Sequence, residues 1–196
     1  IDQKNSLEGE LTYDEILSAL KKMKNGKSPG PSGFTTEFYK FFWNDIHQFL
    51  LKSLNYAYHK GELSTSQKQG LITCIPKKDK PKQHLSNWRP ISLLNVSYKI
   101  GSSAIANRIK TIPPSIINED QRGFLANRYI GECTRLVYDI MDYTETMEIP
   151  GMLLLIDFEK AFDSVDWDFI ENTFVFFNFG ESIRKWIKTL YCNISS

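Results

Sequence analysis

A chain of 196 residues with 41% apolar and 24% charged side chains has the composition of a globular protein with its own core, not of a disordered or fibrous one. No apolar run approaches the ~18 residues of a membrane span, and the start lacks the basic and oily segments of a secretory leader. Cys74, Cys133 and Cys192 are odd in number and far apart, which argues against a disulfide framework and fits a reducing compartment.

The net charge of +1 conceals a polarity. Residues 61–110 carry nine Lys and Arg against two Asp and Glu, while residues 111–171 carry four against thirteen. Such a pair of blocks suits a polyanion on one side and metal cations on the other, or two solvated faces that differ. The sequence opens on Ile1 and closes on Ser196, and both ends are expected to be cuts from a longer chain.

Thr12-x-x-Glu15 is a capping box, and Ile16, Ala19, Leu20 and Met23 follow at helical spacing to a stop at Asn25-Gly26. Residues 24–33, "KNGKSPGPSG", form a Gly/Pro loop. It lacks the G-x-x-x-x-G-K-[ST] pattern of a phosphate loop, and its prolines stiffen a turn between helices or a contact with a partner backbone. A second helix is predicted from about Thr35 to Lys60, with Phe38, Phe41, Phe42, Ile46, Phe49, Leu50 and Leu54 on a wide apolar face.

The period then changes. "GLITCIP" and "RPISLL" predict a hairpin around the basic loop "KKDKPKQHLSNW". Lys77, Lys78, Lys80 and Lys82 lie in that loop, and Arg89 opens the returning strand. A guanidinium fork suits phosphate oxygens and a lysine supplies a point charge, although edge lysines also serve to deter aggregation. Helices are predicted from near Val96 to Pro113-Pro114, over about 130–147, and over about 166–178 and 181–193. "QRGFLANR" sets Arg122, Arg128 and Phe124 around Gly123, a pattern of charge and stacking suited to nucleic acid.

"GMLLLIDF" predicts a short buried strand that ends at Asp157. A carboxylate at a strand mouth can hold a divalent cation, as two-metal phosphoryl transfer requires, or it can cap the following turn. Asp163, Asp166 and Asp168 read as caps of the next helix. Helices, a hairpin and a core strand together predict an α+β fold.

In this order, "KNGKSPGPSGFTTEFYKFFW", "LITCIPKKDKPKQHLSNWRPISLLNVSYKI", "QRGFLANRYIGE" and "GMLLLIDFEKAFDSVDW" resemble the reverse transcriptases of non-LTR (LINE-type) retrotransposons. The resemblance spans nearly the whole chain. It implies a right-hand polymerase in which 1–60 is an N-terminal extension, 61–128 the fingers and 129–196 part of the palm, with the hairpin at 70–94 and a palm core strand near 152–157.

By that likeness Asp157 matches the first catalytic aspartate, and the Phe158 carbonyl helps to hold magnesium. Phe162 matches the steric gate that excludes the ribonucleotide 2′-hydroxyl. Arg89 with Lys77 or Lys78 matches the grip on the dNTP triphosphate. Lys27, Ser28 and Gly30 match template contacts, and Gln121, Arg122, Gly123, Phe124 and Arg128 a segment near template or primer. The resemblance implies RNA template, DNA primer and dNTP as partners, two Mg2+ ions in the full-length enzyme, no membrane, and an intracellular ribonucleoprotein in cytoplasm and nucleus.

Three positions depart from the pattern: Ser32 where Asp is usual, Arg122 where a small residue is common, and Asn127 where glycine is usual. No adjacent Asp-Asp pair occurs in the sequence, so the chain is expected to hold an incomplete metal site and to be inactive alone. The unpaired edge of the core strand is expected to invite a homodimer. Two other readings remain at this stage: a non-catalytic nucleic-acid- or protein-binding module derived from such an element, and an unrelated metal-dependent nuclease using the acidic stretch 157–168.

Overall fold

The computed structural model describes residues 8–158 and 160–194. It divides into two compact units. One comprises residues up to Ile109 together with those from Gly180 onward, and the other Lys110–Phe179.

In the first unit, α1 (Tyr13–Lys22) is opened by Thr12 through a complete capping box with Glu15, as the sequence predicts. It buries Ile16, Ala19 and Leu20. The predicted long helix is two helices, α2 (Thr36–Phe41) and α3 (Trp43–Lys60). Phe42, at φ −90° and ψ 15°, interrupts the helical run. The break changes the buried face: Trp43, Leu50, Leu54 and Ala57 enter the core, whereas Phe41, Phe42 and Phe49 stay exposed. Gly61 ends α3 at φ +80°, a left-handed position that glycine adopts without a Cβ clash.

A short α4 (Thr65–Lys68), with its own Ser64/Gln67 capping box, leads into β1 (Gly70–Pro76). After a 3-10 turn at Leu85–Asn87, β2 (Trp88–Leu94) returns antiparallel. The register pairs Gly70 with Leu94, Ile75 with Arg89 and Pro76 with Trp88. α5 (Val96–Ile109) is buried over much of its circumference, and a Cβ on Gly101 would come within 2.8 Å of Leu54 Cδ2.

The unit is closed by α9 (Glu181–Tyr191), which returns from far along the chain. Trp186 is fully buried, stacks on Tyr58 and donates its indole N–H to the Gly9 carbonyl at 3.0 Å. Arg108 on α5 is also buried. It pairs with both carboxylate oxygens of Glu15 and donates to the carbonyls of Gly9 and Glu10. One guanidinium therefore ties α5 to the start of α1, and a buried charge is acceptable here because it is paired and hydrogen-bonded.

The second unit contains α6 (Pro113–Ile116), α7 (Gly131–Thr146) and α8 (Trp167–Phe176). The predicted core strand near 152–157 does not form: residues 151–158 have no strand pairing and are exposed throughout. Extended chain becomes a strand only beside a hydrogen-bonding neighbour. The two strands among the described residues pair with each other in the first unit. The α+β class holds, with the hairpin as its β component. No helix among the described residues is long and apolar enough to cross a membrane.

Candidate nucleotide and template interface

The basic hairpin is shaped by its own backbone. The Lys77 N–H donates to the Asn87 carbonyl at 2.7 Å, extending the ladder one step past Pro76. The Trp88 indole donates to the Lys82 carbonyl at 2.9 Å and the Asn87 amide to Pro81 at 2.8 Å, which folds the loop back on itself. Arg89 lies opposite Ile75, so side-chain alternation puts Lys77, two residues on from Ile75, on the Arg89 face and Lys78 on the other. Arg89 and Lys78 are exposed. Lys77 is half-buried, its ammonium 2.8 Å from the Ser86 carbonyl. Lys80 and Lys82 are exposed as well.

The Gly/Pro loop is docked, not free. Lys27 and Ser28 are exposed, but Gly30 is buried. A turn follows, in which the Gly33 N–H donates to the Gly30 carbonyl at 3.0 Å. Lys40 staples the preceding segment, donating to the Met23 carbonyl and to Asn25 Oδ1. Asn95, at the root of the hairpin, anchors the loop by accepting the Ser32 N–H, a contact not legible in the sequence. Its only sequence signal is an amide between two apolar stretches, "ISLLN" and "VSYKI".

In the second unit the segment 121–128 is held in place by Arg128. Its guanidinium donates to the carbonyls of Pro114, Ile117, Asn118 and Gln121. These bonds give Arg128 a job in shaping the loop. Arg122 pairs with Glu132 at 2.9 Å, and the Gln121 side-chain amide donates to the Gly123 carbonyl. Asn127 stands at φ +62°. That is a left-handed position where glycine is easiest and asparagine is among the best tolerated alternatives, which explains the departure seen there.

Phe124 is 94% exposed, also left-handed at φ +65°, and meets Phe162 edge-to-face at 5.7 Å. The structure thus brings together two residues that the sequence places in separate motifs.

Asp157 and Phe158 lie on the exposed run 151–158. Glu159 lies outside the described residues. Asp166 caps α8, its Oδ1 accepting from the Asp168 N–H at 2.8 Å and the Phe169 N–H at 3.3 Å. Asp168 sits in the first turn, where its charge favours the helix dipole. Asp163 belongs to the Lys160–Ser164 turn. No group of three His, Cys, Asp or Glu able to hold a metal exists among the described residues. Asp157 and the Phe158 carbonyl therefore fit magnesium in kind, as hard oxygen donors, but not in number.

Comparison with known proteins identifies the family. Residues 75–196 match the family described as reverse transcriptase (RNA-dependent DNA polymerase), and the chain belongs to that family. Over 97% of its length it is 35% identical to the Transposon TX1 uncharacterized 149 kDa protein of Xenopus laevis. Over 80% it is 25% identical to the putative 115 kDa protein in type-1 retrotransposable element R1DM of Drosophila melanogaster. Over 77% it is 29% identical to the probable RNA-directed DNA polymerase from transposon X-element of the same fly. The chain spans only 14%, 15% and 17% of these three relatives. It is a portion of a reverse-transcriptase domain of the LINE type.

Proposed function

We propose that this chain supplies the triphosphate grip, the template loop and the first catalytic aspartate of an RNA-templated DNA polymerase. The observation that best supports this is the hairpin register, which sets Arg89 and Lys77 on one face of an exposed ribbon. A guanidinium fork beside an ammonium complements a triphosphate, and on this geometry Lys77, not Lys78, is the partner of Arg89.

Asp157 and the Phe158 carbonyl would hold magnesium, whose chemistry when bound is to stabilise attacking and leaving oxygens in phosphoryl transfer. The aromatic face of Phe162 screens the sugar 2′ position. Lys27 and Ser28 meet the template strand, while the buried Gly30 seats their loop against Leu94 and Asn95. Gln121, Arg122, Gly123 and Phe124 border template or primer, with Arg128 shaping their loop. The functional boundaries at 60/61 and 128/129 belong to the same proposal, as does residence in an intracellular ribonucleoprotein.

With one aspartate of the catalytic set and no Asp-Asp pair in its sequence, the chain alone is expected not to extend primers. Its exposed run 152–156 is where a second copy would pair, and a purely monomeric sedimentation profile at high concentration would refute that. The polymerase assignment is tested by primer extension with the chain in its parent protein. Asp157→Asn should reduce extension by roughly a hundredfold or more, the scale of a lost electrostatic stabiliser. Phe162→Ala should admit ribonucleotides while sparing dNTP use. Undiminished extension by Asp157→Asn would remove Asp157 from the chemistry.

A further inference from the structure

Asn95 occupies the N-cap position of α5, its carbonyl accepting the Lys99 N–H at 3.1 Å. An asparagine there ordinarily turns its side chain onto its own helix. This one does not. Its Oδ1 accepts the Ser32 N–H of the Gly/Pro loop at 2.9 Å, and its Nδ2 donates to the Ser66 carbonyl of α4 at 2.6 Å. The residue is only 2% exposed. A buried amide with both ends matched is a directional link that an apolar side chain of the same volume cannot replace.

The loop is built to receive it. A Cβ on Gly30 would come within 2.4 Å of the Asn95 nitrogen and 2.5 Å of the Leu94 carbonyl carbon. No side chain fits there without lifting the loop, so Gly30 is required by close approach of two backbones. The far anchor matters equally: Asn95 directly follows β2, the strand that carries Arg89 at its other end.

We propose that Asn95 is a positioning residue. It clasps the 27–33 loop to the root of the hairpin and so preorganises Lys27 and Ser28 for the RNA template. The inference rests on the reading of that loop as a template contact. Preorganisation raises affinity by removing the ordering cost from the binding step. The value of Lys27 to RNA binding therefore depends on Asn95, although Asn95 itself touches no RNA.

The test is a double-mutant cycle on the 196-residue chain, read by anisotropy of a labelled single-stranded RNA oligonucleotide at one fixed salt concentration. Lys27→Ala should weaken binding roughly fivefold in the wild-type background, the scale of one polar contact. In the Asn95→Leu background the same change should have almost no effect. Hydrogen exchange should show the Ser32 amide protected in wild type and unprotected in Asn95→Leu. If circular dichroism shows that Asn95→Leu does not fold, Gly30→Ala undoes the same docking from the loop side and enters the cycle in its place.

Equal factors for Lys27→Ala in both backgrounds would overturn the positioning role while leaving the template reading intact. No effect of Lys27→Ala in wild type would overturn the template reading of the loop, and the inference with it. Retained protection of Ser32 in the Asn95 or Gly30 variant would show that the clasp does not hold the loop.

Discussion

Arg108 shows how much of this structure hangs on single polar side chains. Burial pulls the Glu15 carboxyl up, but the hydrogen bond and charge of Arg108, together with the Thr12 bonds, outweigh it and hold Glu15 below its ordinary value. A depressed carboxylate stabilises the fold above its unfolded pKa and loses that contribution as pH falls through the lower folded value. The loss of stability therefore begins below about pH 4.5, the ordinary glutamate value. Arg108→Met should cost about 3 kcal/mol at neutral pH, because it leaves Glu15 partly buried without its partner. Denaturant melts at pH 7 and pH 3 check both statements: the gap between wild type and variant should narrow in acid. Nothing in the sequence marks Arg108 for this role. It lies 93 residues from Glu15, and helical periodicity says nothing about which distant carboxylate a buried arginine meets.

Among the elements, those coded by local chemistry were legible. Thr12 and Asp166 cap helices as their residue types require, and the hairpin follows the change of period at Gly70. Gly61 closes α3 where the sequence places a stop, and a Cβ there would meet nothing within 4 Å. Gly61→Ala should thus cost only the left-handed conformation, about 1 kcal/mol, measured as a shift of the denaturation midpoint without a change in slope. The break at Phe42 was not legible, because the aromatic run on either side fits one continuous helix equally well. The strand near 152–157 failed for a different reason. Its oily pattern is right for a buried strand, but pairing is a property of two segments, and a single-segment pattern cannot supply the second.

At the scale of the molecule, the two units differ in how well they are buried. The core cluster, from Leu11 through Leu54 and Ile105 to Trp186, lies in the first unit. In the second, neither α7 nor α8 buries a residue, and Leu153–Ile156 face solvent. Local stability tracks buried apolar contact. At a dilution that keeps the chain monomeric, hydrogen exchange should therefore find slow amides in α1, α3, α5 and α9, with residues 151–158 exchanging close to the rate of free peptide; slow exchange at 151–158 under those conditions would contradict the exposed run. The family resemblance proposes a role for Phe162 that periodicity does not suggest, and it sharpens those proposed for Arg89 and Asp157. It did not name the Asn95 clasp or the Phe124–Phe162 contact, which arise only once the chain is folded.

In the proposed function the hairpin meets the dNTP triphosphate through Arg89 and Lys77. Its most direct test is binding of a labelled dNTP to this chain across a salt series, for wild type and for the Arg89→Ala, Lys77→Ala double variant. Wild-type affinity should fall as salt screens the phosphate contacts, and the double variant should bind more weakly with a weaker salt dependence. An unchanged affinity and salt dependence in the double variant would show that the triphosphate is held elsewhere, and would contradict the assignment of this ribbon as the grip.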